Sequence, residues 1–219
     1  MTDIVIIGAG ETARMAKHYF EQNKEQNIIY YVDENIEEDS EFLGRPLLTE
    51  NSFQNLCKPH EVKLFIAIGS EKLNTSRERL FVKYSELGFD FANCLSKDCI
   101  IPDDVILGSN VFIQELNNIQ SGCSIGDNTI IWAKNHIGHN SQIGRNCFIT
   151  SGVTISGNVT IGDNCFLGVN CAVADEIVVD SHCFIGMGAM IMKDVPHNTL
   201  ISSNKPVTAQ ISAKRFCRC

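Results

Sequence analysis

Every sixth residue from Ile101 to Ile191 is aliphatic, the steps between being Leu107, Ile113, Ile119, Ile125, Ile131, Ile137, Ile143, Ile149, Ile155, Ile161, Leu167, Val173, Val179 and Ile185. A helix repeats its apolar face every 3.6 residues and a half-buried strand every 2, so neither produces this ladder. A fixed short period sustained over some ninety residues is the mark of a parallel β-helix built from hexapeptides. Three hexapeptides make one triangular coil, so sixteen steps give a little over five coils. Glycine follows the aliphatic residue in Leu107-Gly108, Ile125-Gly126, Ile137-Gly138, Ile143-Gly144, Ile161-Gly162, Leu167-Gly168 and Ile185-Gly186, and Asn or Asp recurs shortly after, as in Asp127-Asn128 and Asp163-Asn164. Both residue types accept the positive φ that sharp corners demand, which is the role expected of them here.

The ladder also explains the cysteines. Of ten in the chain, Cys123, Cys147, Cys165, Cys171 and Cys183 fall two residues before an aliphatic step. Val105, Val111, Thr129, Ser141, Val153, Val159 and Ala189 share that phase, which is a small inward site at each corner. Free cysteine packs there as a compact hydrophobe, so reduced thiols are expected rather than a disulfide framework. Cys217 and Cys219 form a separate terminal pair, read as a chain end without a metal or redox role.

The first third is organised differently. Ile4–Ile7 reads as a buried strand, Gly8-Ala9-Gly10 as a tight turn, Glu11–Glu21 as a helix, and Ile28–Val32 as a second strand ending at Asp33. Strand, glycine turn, helix, strand and acid in that order open a doubly wound sheet, with the helix N-terminus offered to phosphate. The fingerprint is incomplete, since Ala13 stands at the third glycine position and Asp33 follows Gly10 by twenty-three residues. A further strand, Lys63–Ile68, leads through Gly69-Ser70 into a helix from Leu73 to Leu87, which Gly88 closes. Ligands of open α/β sheets bind at the carboxyl ends of the strands, so Gly69-Ser70 should lie near Gly8–Gly10. About 95 residues suit one nucleotide rather than a dinucleotide. The chain therefore divides into a small Rossmann-like α/β domain (1–95), a β-helix (96–195) and a C-terminal cap and tail (196–219).

Formal net charge is −8 and no concentrated basic patch occurs, which argues against a nucleic-acid partner. No apolar run approaches the roughly 18–20 residues of a bilayer span, and the first residues enter a strand without a positive n-region. No membrane partner and a cytoplasmic location are expected.

At this point the motifs become specific. The opening Ile4-Val5-Ile6-Ile7-Gly8-Ala9-Gly10 joined to the ladder resembles the hexapeptide acyltransferases of the NeuD/PglD type. The most telling runs are Asn135-His136-Ile137-Gly138-His139-Asn140-Ser141-Gln142-Ile143-Gly144 and Ser156-Gly157-Asn158-Val159-Thr160-Ile161-Gly162. The resemblance extends to about residue 200. It implies a left-handed β-helix that assembles as a homotrimer, with active sites between subunits. It also implies acetyl-CoA as cosubstrate and a sugar nucleotide held by the front domain.

Carried over residue by residue, the resemblance makes His139 the general base, which fits the chemistry. A neutral imidazole, of ordinary pKa about 6.5, can take the proton that an attacking amine must lose. Several relatives follow this histidine with a carboxylate; here Asn140 stands there and can hydrogen-bond the ring without stabilising an imidazolium as well. Gly157 matches the backbone N–H of an oxyanion site. His136 should line the same cleft. Where some relatives carry a second histidine this chain has Phe148, expected to pack against the thioester. Val169 and Met187 match places that hold the pantetheine arm, and Lys193 the CoA phosphates. In the front domain Gly8, Gly10, Glu11, Thr12, Asp33, Gly69 and Ser70 match the nucleotide-sugar cradle, with Asn74 and Arg77 near enough to touch a diphosphate. No metal is called for: His136, His139 and His182 do not match the three-histidine zinc set of β-helix carbonic anhydrases. The expected activity is acetyl-CoA-dependent N-acetylation of a nucleotide-linked amino-deoxy sugar in bacterial surface-glycan (O-antigen, lipopolysaccharide, capsule or glycoprotein) biosynthesis. Sialic-acid-type O-acetylation and a non-catalytic β-helix module are the alternatives.

Overall fold

The computed structural model describes residues 1–23, 25–203 and 210. The front domain runs β1 (Thr2–Ile7), α1 (Glu11–Gln22), β2 (Gln26–Val32), β3 (Ser40–Phe42), β4 (Arg45–Leu48), α2 (Glu50–Leu56), β5 (Lys63–Ile66), α3 (Thr75–Glu86) and β6 (Asp90–Phe91). These strands form one sheet in the order β3-β4-β2-β1-β5-β6, parallel except at the β3–β4 hairpin. Strand β1 lies inside the sheet and buries Ile4 to Ile7, as an apolar run flanked by helices should. Gly88, at φ 85, closes α3 as expected, with its N–H on Ser85 O and that of Phe89 on Tyr84 O. The sequence alone did not point to the β3–β4 hairpin or to α2.

The prism begins at β7 (Cys94–Leu95), one strand before the expected boundary. Two-residue strands then recur every six residues, each stacked on the strand eighteen residues away: Ile119 beside Ile137, Ile125 beside Ile143, Ile131 beside Ile149. The result is the left-handed parallel β-helix with three flat faces. The first face carries Phe112, Ile130, Phe148 and Phe166 outward; the second carries Asn118, His136, Thr154, Ala172 and Met190; the third carries Ile106, Ser124, Gln142, Thr160 and Val178. The last coil is shorter, Leu200 pairing with Phe184 sixteen residues away, so the chain still extends the prism at Ile201. Residues 196–201 thus belong to the last coil rather than to a separate cap. Most of the expected tail, with Cys217 and Cys219, lies outside the described residues.

The corner glycines have a different task from the one expected. Gly126, Gly138, Gly144 and Gly168 do not have positive φ; a Cβ on Gly138 would lie 2.5 Å from the backbone carbon of Ser156 in the next coil. They are glycine because adjacent coils touch there. The left-handed residue is the Asn two places later, with φ 59 at Asn128, 55 at Asn140 and 57 at Asn164.

The corner cysteines are buried as expected and none is paired in a disulfide among the described residues, but they also donate. Cys147 Sγ reaches Gly162 O at 3.1 Å and Cys165 Sγ reaches Asp180 O at 3.2 Å. Thr129 Oγ1 to Gly144 O (2.9 Å) and Ser141 Oγ to Ser156 O (3.0 Å) repeat the pattern with hydroxyls. The phase thus selects a small side chain that satisfies a corner carbonyl. Cys147→Ala leaves a void and no donor, whereas Cys147→Ser leaves a smaller void and keeps a donor, so the serine variant should be more stable by about 1 kcal/mol. Equal urea midpoints for the two would reduce the thiol to a volume filler.

The front domain does not sit on the end of the prism, where a stacked-coil fold ordinarily needs a cap. It lies along the first face, where Phe112, Ile130, Phe148 and Phe166 join Ile4, Ile6, Ala13, Ala16, Phe20 and Phe65 in one core. Four large apolar side chains at eighteen-residue spacing would leave a hydrophobic stripe in water unless another layer covered it. No helix among the described residues is long and apolar enough to cross a membrane.

Candidate functional site

His139 and Asn140 form the corner between the second and third faces, the edge opposite the face that the front domain covers. The ladder forces this position: Ile137 points inward, and two residues later the chain turns outward. The His139 side chain is exposed, and its backbone N–H is fixed by Gln120 Oε1 at 2.8 Å. Asn140 Nδ2 lies 3.5 Å from His139 Nδ1 and 3.3 Å from Asn158 Oδ1 of the next coil. An amide serves either imidazole tautomer, donating through nitrogen or accepting through oxygen; a base acting through Nε2 needs Nδ1–H and hence the amide oxygen.

Gly157 sits directly under the imidazole. A Cβ there would be 2.5 Å from His139 Cε1 and 2.7 Å from Nε2, so only glycine leaves the ring its place. Its N–H donates to Asp175 Oδ1 at 2.8 Å. That corrects the oxyanion expectation: a donor already held by a carboxylate is not aimed at a developing oxyanion. Gly157 shapes the site by what it lacks.

His136 is half-buried on the second face, between Asn118 and Thr154. Lys193 is exposed on the His139 edge three coils further on, about 14 Å away at the ordinary strand spacing. Val169 and Met187 lie on the other border of the second face, in consecutive coils, Met187 well exposed. These expected residues therefore frame one face. Phe148 does not join them. It is buried on the first face against Trp132 and stacked on Phe166, with ring centroids 5.7 Å apart, under the front domain and away from any thioester on the His139 edge.

In the front domain, a cleft of about 540 Å³ opens at the carboxyl ends of β1, β2 and β5. Gly10, Glu11, Thr12, Asp33 and Gly69 line it, bringing together most of the expected cradle. Gly8 stands at φ 110, and a Cβ there would lie 2.9 Å from Ile68 Cδ1 and 3.1 Å from Ala67 O, just past β5. Gly10 precedes α1 without a side-chain cap, so the first N–H groups of the helix point into the cleft. Lys72, Ser76 and Arg79 line it too, Arg79 bonded to Glu34. Sequence reasoning missed these, because nothing local distinguishes them from an ordinary solvated helix face.

Asn74 and Arg77 do not face the cleft as expected; both are fully buried against the prism. Asn74 Nδ2 donates to Cys165 O at 3.1 Å. The Arg77 guanidinium donates to Asn128 O (3.0 Å), Asn146 O (2.9 Å), Cys147 O (3.1 Å) and Gly69 O (2.6 Å). Burial pulls its pKa down to about 10, which still leaves it charged at neutral pH. A cation with this many carbonyl partners is a structural bolt, out of reach of a bound diphosphate.

Comparison with known proteins agrees with this architecture. Residues 3–84 match the model of the PglD N-terminal domain, and residues 122–157 match the bacterial transferase hexapeptide (six repeats). Both parts of the resemblance to NeuD/PglD-type sugar acetyltransferases are thus found. A search of the curated proteins returns no significant match. Among solved structures, PerB from Caulobacter crescentus in complex with CoA and GDP-perosamine superposes with a TM-score of 0.82 at 24% identity, over 93% of this chain and 95% of that one. The acetyltransferase domain of PglB from Neisseria gonorrhoeae in complex with acetyl coenzyme A gives 0.83 at 21%, over 94% and 98%. WeeI from Acinetobacter baumannii gives 0.53 at 16%, over 93% and 97%. At these identities the likeness is one of fold.

Proposed function

We propose that the chain is an acetyl-CoA-dependent N-acetyltransferase acting on a nucleotide-linked amino-deoxy sugar, working as a homotrimer with each site between two prisms. The observation that carries this reading is the placement of His139. It stands on the edge between the second and third faces, and none of the ten outward strand positions on those faces is Lys, Arg, Asp or Glu. Two flat uncharged faces meeting at an outward histidine suit packing against another copy. The front cleft of the same chain lies across the prism, so a sugar nucleotide bound there would reach a histidine on a neighbouring copy. The solved relatives bind CoA, acetyl-CoA or GDP-perosamine, which supports the choice of cosubstrate and of a nucleotide sugar.

In the mechanism, the sugar amine attacks the thioester carbonyl as His139 Nε2 takes its proton. An N–C bond forms, the C–S bond breaks, and the proton passes to the departing CoA thiolate. Asn140 flanks the ring, its amide 3.5 Å from Nδ1. The tetrahedral oxygen takes its donor from a group other than Gly157. On this reading Lys193, on the same edge, meets the CoA phosphates, and Val169 and Met187, across the second face, meet the pantetheine arm. The cytoplasm, where acetyl-CoA and nucleotide sugars are available, is the proposed location, with surface-glycan precursors as the products.

The test is a thiol-release assay with acetyl-CoA and UDP-, dTDP- and GDP-linked 3-amino and 4-amino sugars, with free sialic acid as the hydroxyl acceptor. Release with at least one amino sugar is expected. Release with sialic acid alone would replace N- by O-acetylation, and no release with any acceptor would leave a non-catalytic module.

A further inference from the structure

The N-terminal part of α3 is divided between two structures. Ser76 and Arg79 line the front cleft, whereas Arg77 and Glu78 are bonded into the prism. Glu78 accepts from Asn146 Nδ2 at 3.1 Å and from Asn164 Nδ2 at 2.8 Å, both on the edge between the third and first faces. Arg77 spans the divide: one terminal nitrogen holds Gly69 O, a cleft residue, at 2.6 Å, and the other holds Asn146 O and Cys147 O.

The cleft rim between Gly69 and α3 is strained. Lys72, Leu73 and Asn74 stand consecutively at φ 50, 52 and 68. Side-chain-bearing residues rarely adopt this conformation, and a run of three persists only where the surroundings over-determine it. Here the two ends of the rim are held: Gly69 by Arg77, itself bonded to the prism, and Asn74 through its bond to Cys165 O of the prism.

We propose that Arg77 is a positioning residue for the cleft, holding the strained Gly69–Asn74 rim in its binding shape by anchoring it to the prism. Nucleotide affinity then depends on prism backbone that never touches the nucleotide. Guanidinium suits the task because its planar fork reaches carbonyls on both sides at once; the lysine ammonium is a point charge that cannot. This inference rests on the nucleotide-sugar reading above.

The test uses the full chain and isothermal titration with UDP, dTDP and GDP and, separately, with CoA, alongside thermal melting. Arg77→Lys is expected to weaken binding of whichever nucleotide the wild type takes by about tenfold, with CoA affinity changed less than about twofold. Glu78→Gln leaves an amide facing another amide donor and should shift nucleotide affinity the same way by about threefold. Unchanged nucleotide binding in Arg77→Lys, or parallel loss of nucleotide and CoA, would overturn the coupling. Should Arg77→Lys fail to fold, Glu78→Gln decides, and wild-type nucleotide affinity in that variant refutes it. A wild type that binds none of the three nucleotides removes the nucleotide-sugar reading and the proposal together; binding by wild type with indifferent variants removes the proposal alone.

Discussion

Replacing His139 with asparagine is expected to lower kcat for the acceptor amine by about 10²–10⁴-fold while leaving the KM values for acetyl-CoA and the sugar nucleotide within a few-fold. Asparagine keeps a polar side chain of similar reach at the corner but has no group that accepts a proton near neutral pH. The backbone of His139 is held by Gln120 and by the coil hydrogen bonds rather than by its ring, so the fold should survive. Steady-state kinetics with saturating amino sugar provide the measurement. A variant with near wild-type kcat would mean that the base is another group, and the proposed mechanism would fall with it.

Gly157→Ala should abolish most activity from the other direction. The new methyl would occupy the space of the imidazole, 2.5 Å from His139 Cε1, and the ring would have to swing away. Misplacing a catalytic group by about 1 Å costs about 10²-fold, so a loss of at least that order in kcat is expected. The side chain can move, so stability should change little. Gly138→Ala is the contrasting variant: its methyl would meet Ser156 backbone at 2.5 and 2.6 Å, and a stacked coil cannot step aside. It should cost about 1–3 kcal/mol or more of stability. Chemical denaturation and kcat measured on both variants separate the two effects. If Gly157→Ala kept full activity, the observed ring position would not be the catalytic one.

Much of this site was legible in the sequence. The six-residue period made Ile137 inward and His139 outward, and the glycine turn with Asp33 located the front cleft. The expectations that failed did so for a shared physical reason. A period reports which side chains point in; it does not report what covers those that point out. Phe148 stands where some relatives carry a second histidine, which suggested a thioester contact, yet outward on the first face means buried under the front domain. Phe112, Ile130, Phe148, Phe166 and Phe184 stand eighteen residues apart, one per coil, and that spacing was the available signal for a covered face. Arg77 read as a diphosphate contact because it follows closely on Gly69-Ser70 in the chain. Its carbonyl partners come from residues 51 to 70 positions away as well as from the cleft itself. The corner glycines were assigned to turning when they serve closeness, a difference that emerges only when the next coil is in place.

By itself, then, the sequence determined the coil: its period, its core, its corners, its reduced thiols and the outward edge that carries His139. These properties arise from local repetition, in which each hexapeptide meets only its neighbours eighteen residues away. Only the tertiary structure decided which face the front domain covers, that Gly157 N–H belongs to Asp175, and that Arg77 bolts the cleft to the prism. Those are contacts between surfaces that no local pattern relates, and they are chosen by shape and by which buried polar groups can be satisfied together.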